Sequence, residues 1–202
     1  PKWVLFRRRA LLASARAVNR HLKIGSGDSF LVALPLYHVG GFGMGARAFV
    51  GGCALHQFEG SWDAGRFRDK LEKTECTLTS LVPTQVHDLV SMKLQAPASL
   101  RAVVVGGGRL NEREGQMARR LGWPLLQSYG MTETGSQVAT DTLENIEGEF
   151  RSGPLFVLPA WECRVGEDGC LQLRGEALCE AYLQREKDEI IRVGVKDGEG
   201  WF

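Results

Sequence analysis

The sequence predicts an α/β protein, with a doubly wound, mostly parallel sheet and a smaller antiparallel β subdomain at its C-terminal end. Two observations predict this fold. Over about the first 150 residues, short apolar runs typical of buried parallel strands alternate with segments whose apolar residues recur at helical spacing. Beyond that point the alternation stops and a hairpin signal follows. We therefore expect two subdomains, residues 1–150 and residues 151–202.

The elements of the first subdomain follow from this alternation. Apolar side chains at helical spacing predict a helix over residues 11–22, and Gly25 marks its end. The uninterrupted apolar run at residues 29–36 predicts the first buried strand. The same rules predict further strands at 51–58, 76–83, 101–106 and 123–127, and helices at 42–50, 62–73, 84–94 and 111–121.

The second subdomain is predicted from two short segments, residues 161–165 and 170–174. Residues 166–169 join them, and Asp168 and Gly169 are typical residues of a hairpin turn. We therefore expect an antiparallel subdomain packed beside the α/β sheet.

Composition excludes several classes of protein. A chain of 202 residues with 44% hydrophobic residues can bury a sizeable core. Lys and Arg number 25 against 24 acidic residues, and residues 7–9 are the only basic cluster, so a nucleic-acid or membrane-surface partner has little support.

The cysteines and the apolar segments bear on location. Five widely spaced cysteines without a CxxC pair indicate neither a disulfide framework nor a zinc site, and reduced thiols favour a cytoplasmic location. Residues 30–46 lack a fully charged side chain, but Pro35, His38 and four glycines argue against a membrane span. No secretory signal precedes them.

The stretch QSYGMTETGS at residues 127–136 predicts a ligand-binding loop. It begins where a predicted strand ends, and open α/β sheets bind ligands at that edge. Tyr129 offers an aromatic face, Gly130 allows close backbone approach, Thr132 is a hydroxyl donor and Glu133 is an anionic oxygen ligand. A nucleotide with bound magnesium needs all four features. The alternative is a polar surface loop in which Thr and Glu cap the next helix.

Three other places carry candidate site residues. His38 follows the strand at 29–36 and shares the strand-end edge with Thr132, although a lone histidine is usually structural. Arg47 lies in an apolar helical stretch. Its side chain either extends so that the guanidinium reaches water, or the guanidinium binds a substrate carboxylate. Thr84 follows the strand at 76–83 in the same way.

The triple glycine at residues 106–108 suggests a dinucleotide-binding turn. The fingerprint fails, because Asn111 stands where its third glycine should be. What remains is a tight strand-to-helix turn that also lets a ring or a phosphate approach the backbone.

The segment YGMTE at residues 129–133 resembles the adenylate-forming superfamily of acyl-CoA synthetases, luciferases and peptide-synthetase adenylation domains. Residues 34–41, 80–85 and 106–108 resemble further family segments in the family's order, so the resemblance covers nearly the whole chain. Residues 34–41 and 80–85, with the cation at position 47, are more similar to the o-succinylbenzoate–CoA ligase branch, which acts in menaquinone biosynthesis, than to fatty-acyl enzymes. Residues 171–182 also resemble a family segment, with Ala181 in place of the usual glycine.

The resemblance implies an ATP-dependent acid–CoA ligase that uses Mg²⁺ and coenzyme A. A carboxylate attacks the α-phosphate of ATP to give an acyl-adenylate, and the thiol of coenzyme A then displaces AMP. The residues to which the resemblance gives a role in the nucleotide site are Gly106, Gly107, Gly108, Gln127, Ser128, Tyr129, Gly130, Met131 and Thr132.

The remaining roles concern catalysis and the acid. Thr132 is expected to contact the α-phosphate and Glu133 to hold the magnesium ion. His38 is expected to line the passage between the acyl group and the thiol, while Arg47 and Thr84 are expected to bind the carboxylic acid. The resemblance leaves the oligomeric state open, a homo-oligomer included.

The two ends resemble cut points within such an enzyme. Residues 1–2 resemble the close of the family's phosphate loop, and residues 200–202 resemble the lead-in to its ribose-binding aspartate. We therefore expect the phosphate loop, that aspartate and the C-terminal lid domain with its catalytic lysine to lie outside this chain, and the chain alone to be inactive. Three alternatives remain: a dinucleotide-binding module, a fatty- or aryl-acid–CoA synthetase in which Arg47 only reaches water, and a non-enzymatic interaction domain, which nothing in the sequence favours.

Overall fold

The structure, a computed structural model, describes residues 2–187 and 189–202. It confirms the predicted α/β class. The strands are β1 (Lys2–Leu5), β2 (Ser29–Val32), β3 (Ala54–Gln57), β4 (Leu78–Leu81), β5 (Ala102–Val105), β6 (Leu125–Met131), β7 (Ser136–Thr140), β8 (Phe156–Val157), β9 (Glu162–Val165), β10 (Leu171–Arg174), β11 (Ala181–Glu186) and β12 (Glu189–Gly194). The helices are α1 (Arg8–His21), α2 (Val39–Gly51), α3 (Ala64–Thr74), α4 (Pro83–Ser91) and α5 (Glu112–Arg120), and Thr132–Thr134 and Leu143–Glu147 form short 3₁₀ turns.

The main sheet has seven strands in the order β3-β2-β4-β5-β6-β7-β8. The strands from β3 to β6 are parallel, whereas β7 and β8 run antiparallel to their neighbours. Two smaller antiparallel sheets stand apart from it, one with the order β1-β11-β12 and the other formed by β9 and β10. The β9–β10 hairpin confirms the predicted turn, and Gly169 adopts there the positive φ of +77° that favours glycine.

Helices cover both faces of the main sheet, as the doubly wound prediction requires. Successive residues of a strand point to opposite faces, so Phe30 and Val32 of β2 lie in one hydrophobic core while Leu31 lies in the other. The first core includes buried residues of α1 and α2, and the second includes buried residues of α3, α4 and α5. The first core continues into the C-terminal part of the chain through Trp161, Leu173 and Leu178.

The smaller sheets draw on both ends of the chain. Strand β1 pairs with β11, with Val4 opposite Tyr182, and β8 extends the main sheet beyond residue 150. The boundary between residues 1–150 and 151–202 stays a prediction. Within the described residues, no helix is long and apolar enough to cross a membrane.

The prediction that residues 127–136 form a loop is wrong. Strand β6 continues to Met131 and forms a hairpin with β7. The register shifts between Tyr129 and Gly130, which makes an irregularity in the pairing. Gly130 is required there, since an ideal Cβ on it would lie 1.7 Å from the carbonyl oxygen of Ser136. Sequence reasoning placed the strand end at Gln127 because the polar residues after it mask the continuing ladder.

Gly115 in α5 lies against the second hydrophobic core, the one that contains Leu31, and a substitution there measures how closely that core is packed. Alanine favours a helix interior by about 1 kcal/mol over glycine, but an ideal Cβ on Gly115 would lie 2.1 Å from Cδ1 of the buried Phe150. We expect Gly115→Ala to lower the free energy of unfolding by about 1–3 kcal/mol through overpacking. Gly45→Ala in α2 is the matched control: no atom lies within 4 Å of its ideal Cβ, so stability should rise by about 0.5–1 kcal/mol. Urea unfolding of the three proteins measures both, and a stabilised Gly115→Ala variant would contradict the packing.

Candidate active site

Apart from Arg47 in α2, the predicted site residues lie after the neighbouring parallel strands β2, β4 and β5, or in the C-terminal part of β6 and the turn after it. Because the carboxyl ends of parallel strands meet at one edge of a sheet, the segments at 34–41, 82–85, 106–108 and 127–133 share that edge. The turn formed by Gly106–Gly108, called the glycine turn, lies close to the neighbouring segments of this edge. An ideal Cβ would lie 3.2 Å from Oγ of Ser128 if placed on Gly106, and 3.3 Å from Cγ1 of Val82 if placed on Gly107.

The glycine turn is held in place by Gln127 and Ser128. The Nε2 group of Gln127 lies 3.1 Å from the carbonyl oxygen of Gly108 and its Oε1 accepts from the Leu110 N–H at 2.9 Å. The Ser128 hydroxyl donates to the carbonyl oxygen of Val105 at 3.0 Å. Both side chains are buried and hydrogen-bonded within the protein, so their role is to shape the turn. Gly107 and Gly108, in contrast, are exposed.

Helix α5 follows the turn, and Asn111 explains why the dinucleotide fingerprint fails. Its side chain accepts from the Arg113 N–H at 2.9 Å and caps the helix. The third glycine of a dinucleotide-binding turn is therefore replaced by a helix cap.

The β6–β7 hairpin exposes some of the predicted nucleotide residues near its tip. The Tyr129 ring is 41% exposed, and Gly130 and Thr132 are also exposed. In the described part of the chain the Thr132 side chain makes no hydrogen bond, which leaves its hydroxyl available to a ligand. Sequence reasoning missed Thr134, whose buried hydroxyl accepts from the Met131 N–H at 3.1 Å and lies 3.0 Å from the carbonyl oxygen of Ser136. Thr134 closes the turn that carries Thr132 and Glu133.

Glu133 is half-buried and is tied to the small sheet. Its Oε1 accepts from the hydroxyl of Tyr182 at 2.8 Å, and its carbonyl oxygen accepts from the Cys179 N–H at 2.8 Å. Burial and the bond to Glu133 both raise the pKa of Tyr182 above its ordinary value. Sequence reasoning gave Tyr182 no role, because nothing in the sequence pairs it with a residue 49 positions away.

The donor set around Glu133 fits a metal that arrives with a nucleotide. Among residues 2–187 and 189–202, no three His, Cys, Asp or Glu side chains form a group that could hold a metal ion. Magnesium is commonly bound through one or two carboxylates together with phosphate oxygens and waters. A single half-buried carboxylate beside an exposed hydroxyl suits that arrangement.

Arg47 is buried, with only 2% of its surface exposed. Its Nε donates to the carbonyl oxygen of Gly43 at 2.9 Å, and no carboxylate of the described residues forms an ion pair with it. It lines a narrow crevice between α1, α2 and the end of the hairpin turn, together with Ser14, Phe42 and Ser136. Burial lowers the pKa of Arg47 to about 10, so the guanidinium keeps its charge at neutral pH.

This environment is inconsistent with the alternative in which Arg47 extends to bulk water. A buried cation is costly unless an anion or hydrogen bonds compensate it. The Arg47 guanidinium is therefore buried beside the hairpin turn without an acidic partner among the described residues.

His38 and Thr84 lie at the same sheet edge but are more open. His38 is exposed and precedes α2, with its ring centroid 5.7 Å from that of Tyr37, which is 89% exposed. Thr84 is exposed in the first turn of α4. In the described part of the chain, no hydrogen bond joins either side chain to the β6–β7 hairpin.

The chain belongs to the AMP-binding enzyme family, because residues 1–177 match that family. This confirms the resemblance seen in the sequence. Among characterised relatives, it is similar to the 2-succinylbenzoate–CoA ligase of Enterococcus faecalis, with 34% identity over 216 residues that cover 100% of this chain and 43% of that protein. It is also 32% identical to the 2-succinylbenzoate–CoA ligase of Bacillus licheniformis over 201 residues, covering 92% of this chain and 40% of that protein.

Solved structures of o-succinylbenzoate coenzyme A synthetase from Bacillus subtilis are similar as well. The AMP complex superposes with a TM-score of 0.81 at 26% identity, covering 100% of this chain and 45% of that chain. The complex with ATP and magnesium ion gives a TM-score of 0.80 at 25% identity, covering 100% of this chain and 46% of that chain. The present chain thus spans about two fifths of the length of the curated relatives it matches.

Proposed function

We propose that the protein containing this chain is an ATP-dependent acid–CoA ligase, and that its acid is o-succinylbenzoate. The observation that carries the proposal is the β6–β7 hairpin, which presents Tyr129, Thr132 and Glu133 beside the exposed glycine turn. The similarity to 2-succinylbenzoate–CoA ligases supports the choice of acid. A part in menaquinone biosynthesis and a cytoplasmic location belong to the same proposal.

In the first step, a carboxylate oxygen of the acid attacks the α-phosphorus of ATP and pyrophosphate leaves. The Thr132 hydroxyl donates to an α-phosphate oxygen as negative charge builds on it. Glu133 holds the magnesium ion, which supplies positive charge to the phosphates when bound. The Tyr129 ring stacks on the adenine, and Gly106–Gly108 allow the base to approach the backbone.

In the second step, the thiol of coenzyme A loses its proton to water and its sulfur attacks the acyl carbonyl carbon, and AMP leaves with the electron pair of the broken C–O bond. His38 and Thr84 line the approach to the acyl group from the same sheet edge. A relative supports the adenylate intermediate: the Bacillus subtilis synthetase has been solved in complex with the acyl-adenylate OSB-AMP.

Arg47 supports an acid with a second carboxylate. The buried guanidinium lacks an acidic partner in the described residues, and an Arg fork binds a carboxylate through two parallel hydrogen bonds. An acid with one carboxylate, which the adenylation step uses, would leave the cation unpaired. A fatty- or aryl-acid ligase is therefore the weaker candidate.

ATP–pyrophosphate exchange by the full-length protein tests this function. The panel comprises o-succinylbenzoate, its analogue in which hydrogen replaces the carboxylate that is not adenylated, benzoate and a medium-chain fatty acid. We expect exchange with o-succinylbenzoate to exceed that with each monocarboxylate by about 30-fold or more. Equal or faster exchange with a monocarboxylate would favour the alternative ligase, and no exchange with any acid would overturn the proposal.

A further inference from the structure

Residues 179–182 join the candidate metal carboxylate to the start of the chain. The Cys179 N–H donates to the carbonyl oxygen of Glu133 at 2.8 Å, and the Glu180 N–H donates to the carbonyl oxygen of Leu5 at 2.8 Å. The hydroxyl of Tyr182 donates to Oε1 of Glu133 at 2.8 Å. Glu133 is thus held by this segment through both its backbone and its side chain.

The position of Tyr182 makes it a rigid donor. It lies in β11, the central strand of its sheet, opposite Val4 of β1 on one side and Val193 of β12 on the other. Its side chain is half-buried, so few rotamers are open to it.

Ion pairs hold the same segment at its other side. Glu180 accepts from Arg7 at 2.7 Å and from Arg192 at 2.6 Å, and these guanidinium groups lower the pKa of Glu180 to about 2. Arg7 precedes α1 and Arg192 lies in β12, so the ion pairs bond the segment at both of these places. Tyr182 thus projects from an anchored backbone.

We propose that Tyr182 is a positioning residue for the metal step, because its O–H fixes the direction of the Glu133 carboxylate before the metal and nucleotide bind. This inference rests on the proposed function, in which Glu133 holds the magnesium ion that accompanies ATP. A hydrogen-bonding partner of a metal-ligating carboxylate orients it, and loss of such a partner typically costs about 10- to 100-fold in metal affinity or activity. The small antiparallel sheet would then tune a site whose other residues come from the main sheet.

Tyr182→Phe in the full-length protein tests the inference, since it removes the hydroxyl and keeps the ring. ATP binding is measured by calorimetry as a function of Mg²⁺ concentration, and pyrophosphate exchange is measured over the same range. We expect the half-saturating Mg²⁺ concentration to rise about 10-fold, while the midpoint of thermal unfolding changes little. Gln184→Leu is the control, because residue 184 lies two positions along β11 on the same face and has no place in the proposed mechanism.

A double-mutant cycle separates positioning from general structural support. If Tyr182 acts through the carboxylate, Tyr182→Phe should change ATP affinity less than about 2-fold in a Glu133→Gln background. An equal Mg²⁺ requirement in Tyr182→Phe and wild type, or a full effect in the Glu133→Gln background, would overturn the inference and leave the proposed function standing. Wild-type protein whose ATP binding does not depend on Mg²⁺ would overturn both.

Discussion

Glu133→Gln in the full-length protein is expected to lower the rate of ATP–pyrophosphate exchange by about 100-fold or more. The amide has nearly the shape of the carboxylate but no charge, so it is a much poorer ligand for magnesium. Metal coordination is worth several kcal/mol of charge stabilisation in such a transition state. The rate is measured at saturating ATP and acid, over a range of Mg²⁺ concentrations.

The fold should tolerate this change. The amide oxygen that Glu133→Gln introduces can still accept from the hydroxyl of Tyr182, and the bond from the Cys179 N–H to the backbone is unaffected. We expect the free energy of unfolding to change by about 1 kcal/mol or less. Glu147→Gln, at an exposed position in the 3₁₀ turn Leu143–Glu147, is the matched control and should leave both quantities unchanged. An undiminished exchange rate in Glu133→Gln would remove Glu133 from the chemistry.

The sequence predicted the main sheet well because buried parallel strands have a strong local signature. The runs at 29–36 and 101–106 contain β2 and β5, and the predicted strand edge does carry the glycine turn and the hairpin. The hairpin signal at 161–174 was equally local, and β9 and β10 confirm it. These elements are specified by residues close together in the chain.

The parts that sequence reasoning missed depend on contacts between distant residues. Strand β1 is recognisable only through its pairing with β11, and Tyr182 acquires a partner only when that sheet meets the β6–β7 hairpin. The continuation of β6 to Met131 likewise depends on β7 and on the absence of a Cβ at Gly130. Local patterns therefore predicted the strands that carry the candidate site residues, but the support behind Glu133 needed the tertiary structure.

Arg47 shows the same division between pattern and structure. Its sequence context allowed two interpretations, because a cation on an apolar helix can either extend to water or bind the carboxylate of a ligand. Burial to 2% exposure, with the Gly43 carbonyl oxygen as its partner within the protein, favours the second. The crevice beside Ser136 places Arg47 next to the hairpin that carries the candidate adenylation residues.

Arg47→Met is therefore expected to raise KM for o-succinylbenzoate by about 30-fold or more, since loss of one partner of a buried charge pair costs about 2–5 kcal/mol. KM for ATP should stay near the wild-type value. Exchange with the analogue that lacks the second carboxylate should change little, because that acid makes no ion pair to lose. Arg47→Lys keeps the charge but not the planar fork, so it should fall between the wild type and Arg47→Met.

Stability distinguishes this ligand role from a structural one. A buried cation without an acidic partner in the described residues adds a desolvation cost to folding, so Arg47→Met should leave the free energy of unfolding unchanged or raise it. Arg16→Met, at an exposed position of α1, is the control for loss of a positive charge near the same helices. If Arg47→Met unfolded the protein or weakened both acids equally, Arg47 would be a structural residue, and the preference for a dicarboxylate would have to come from another part of the full-length enzyme.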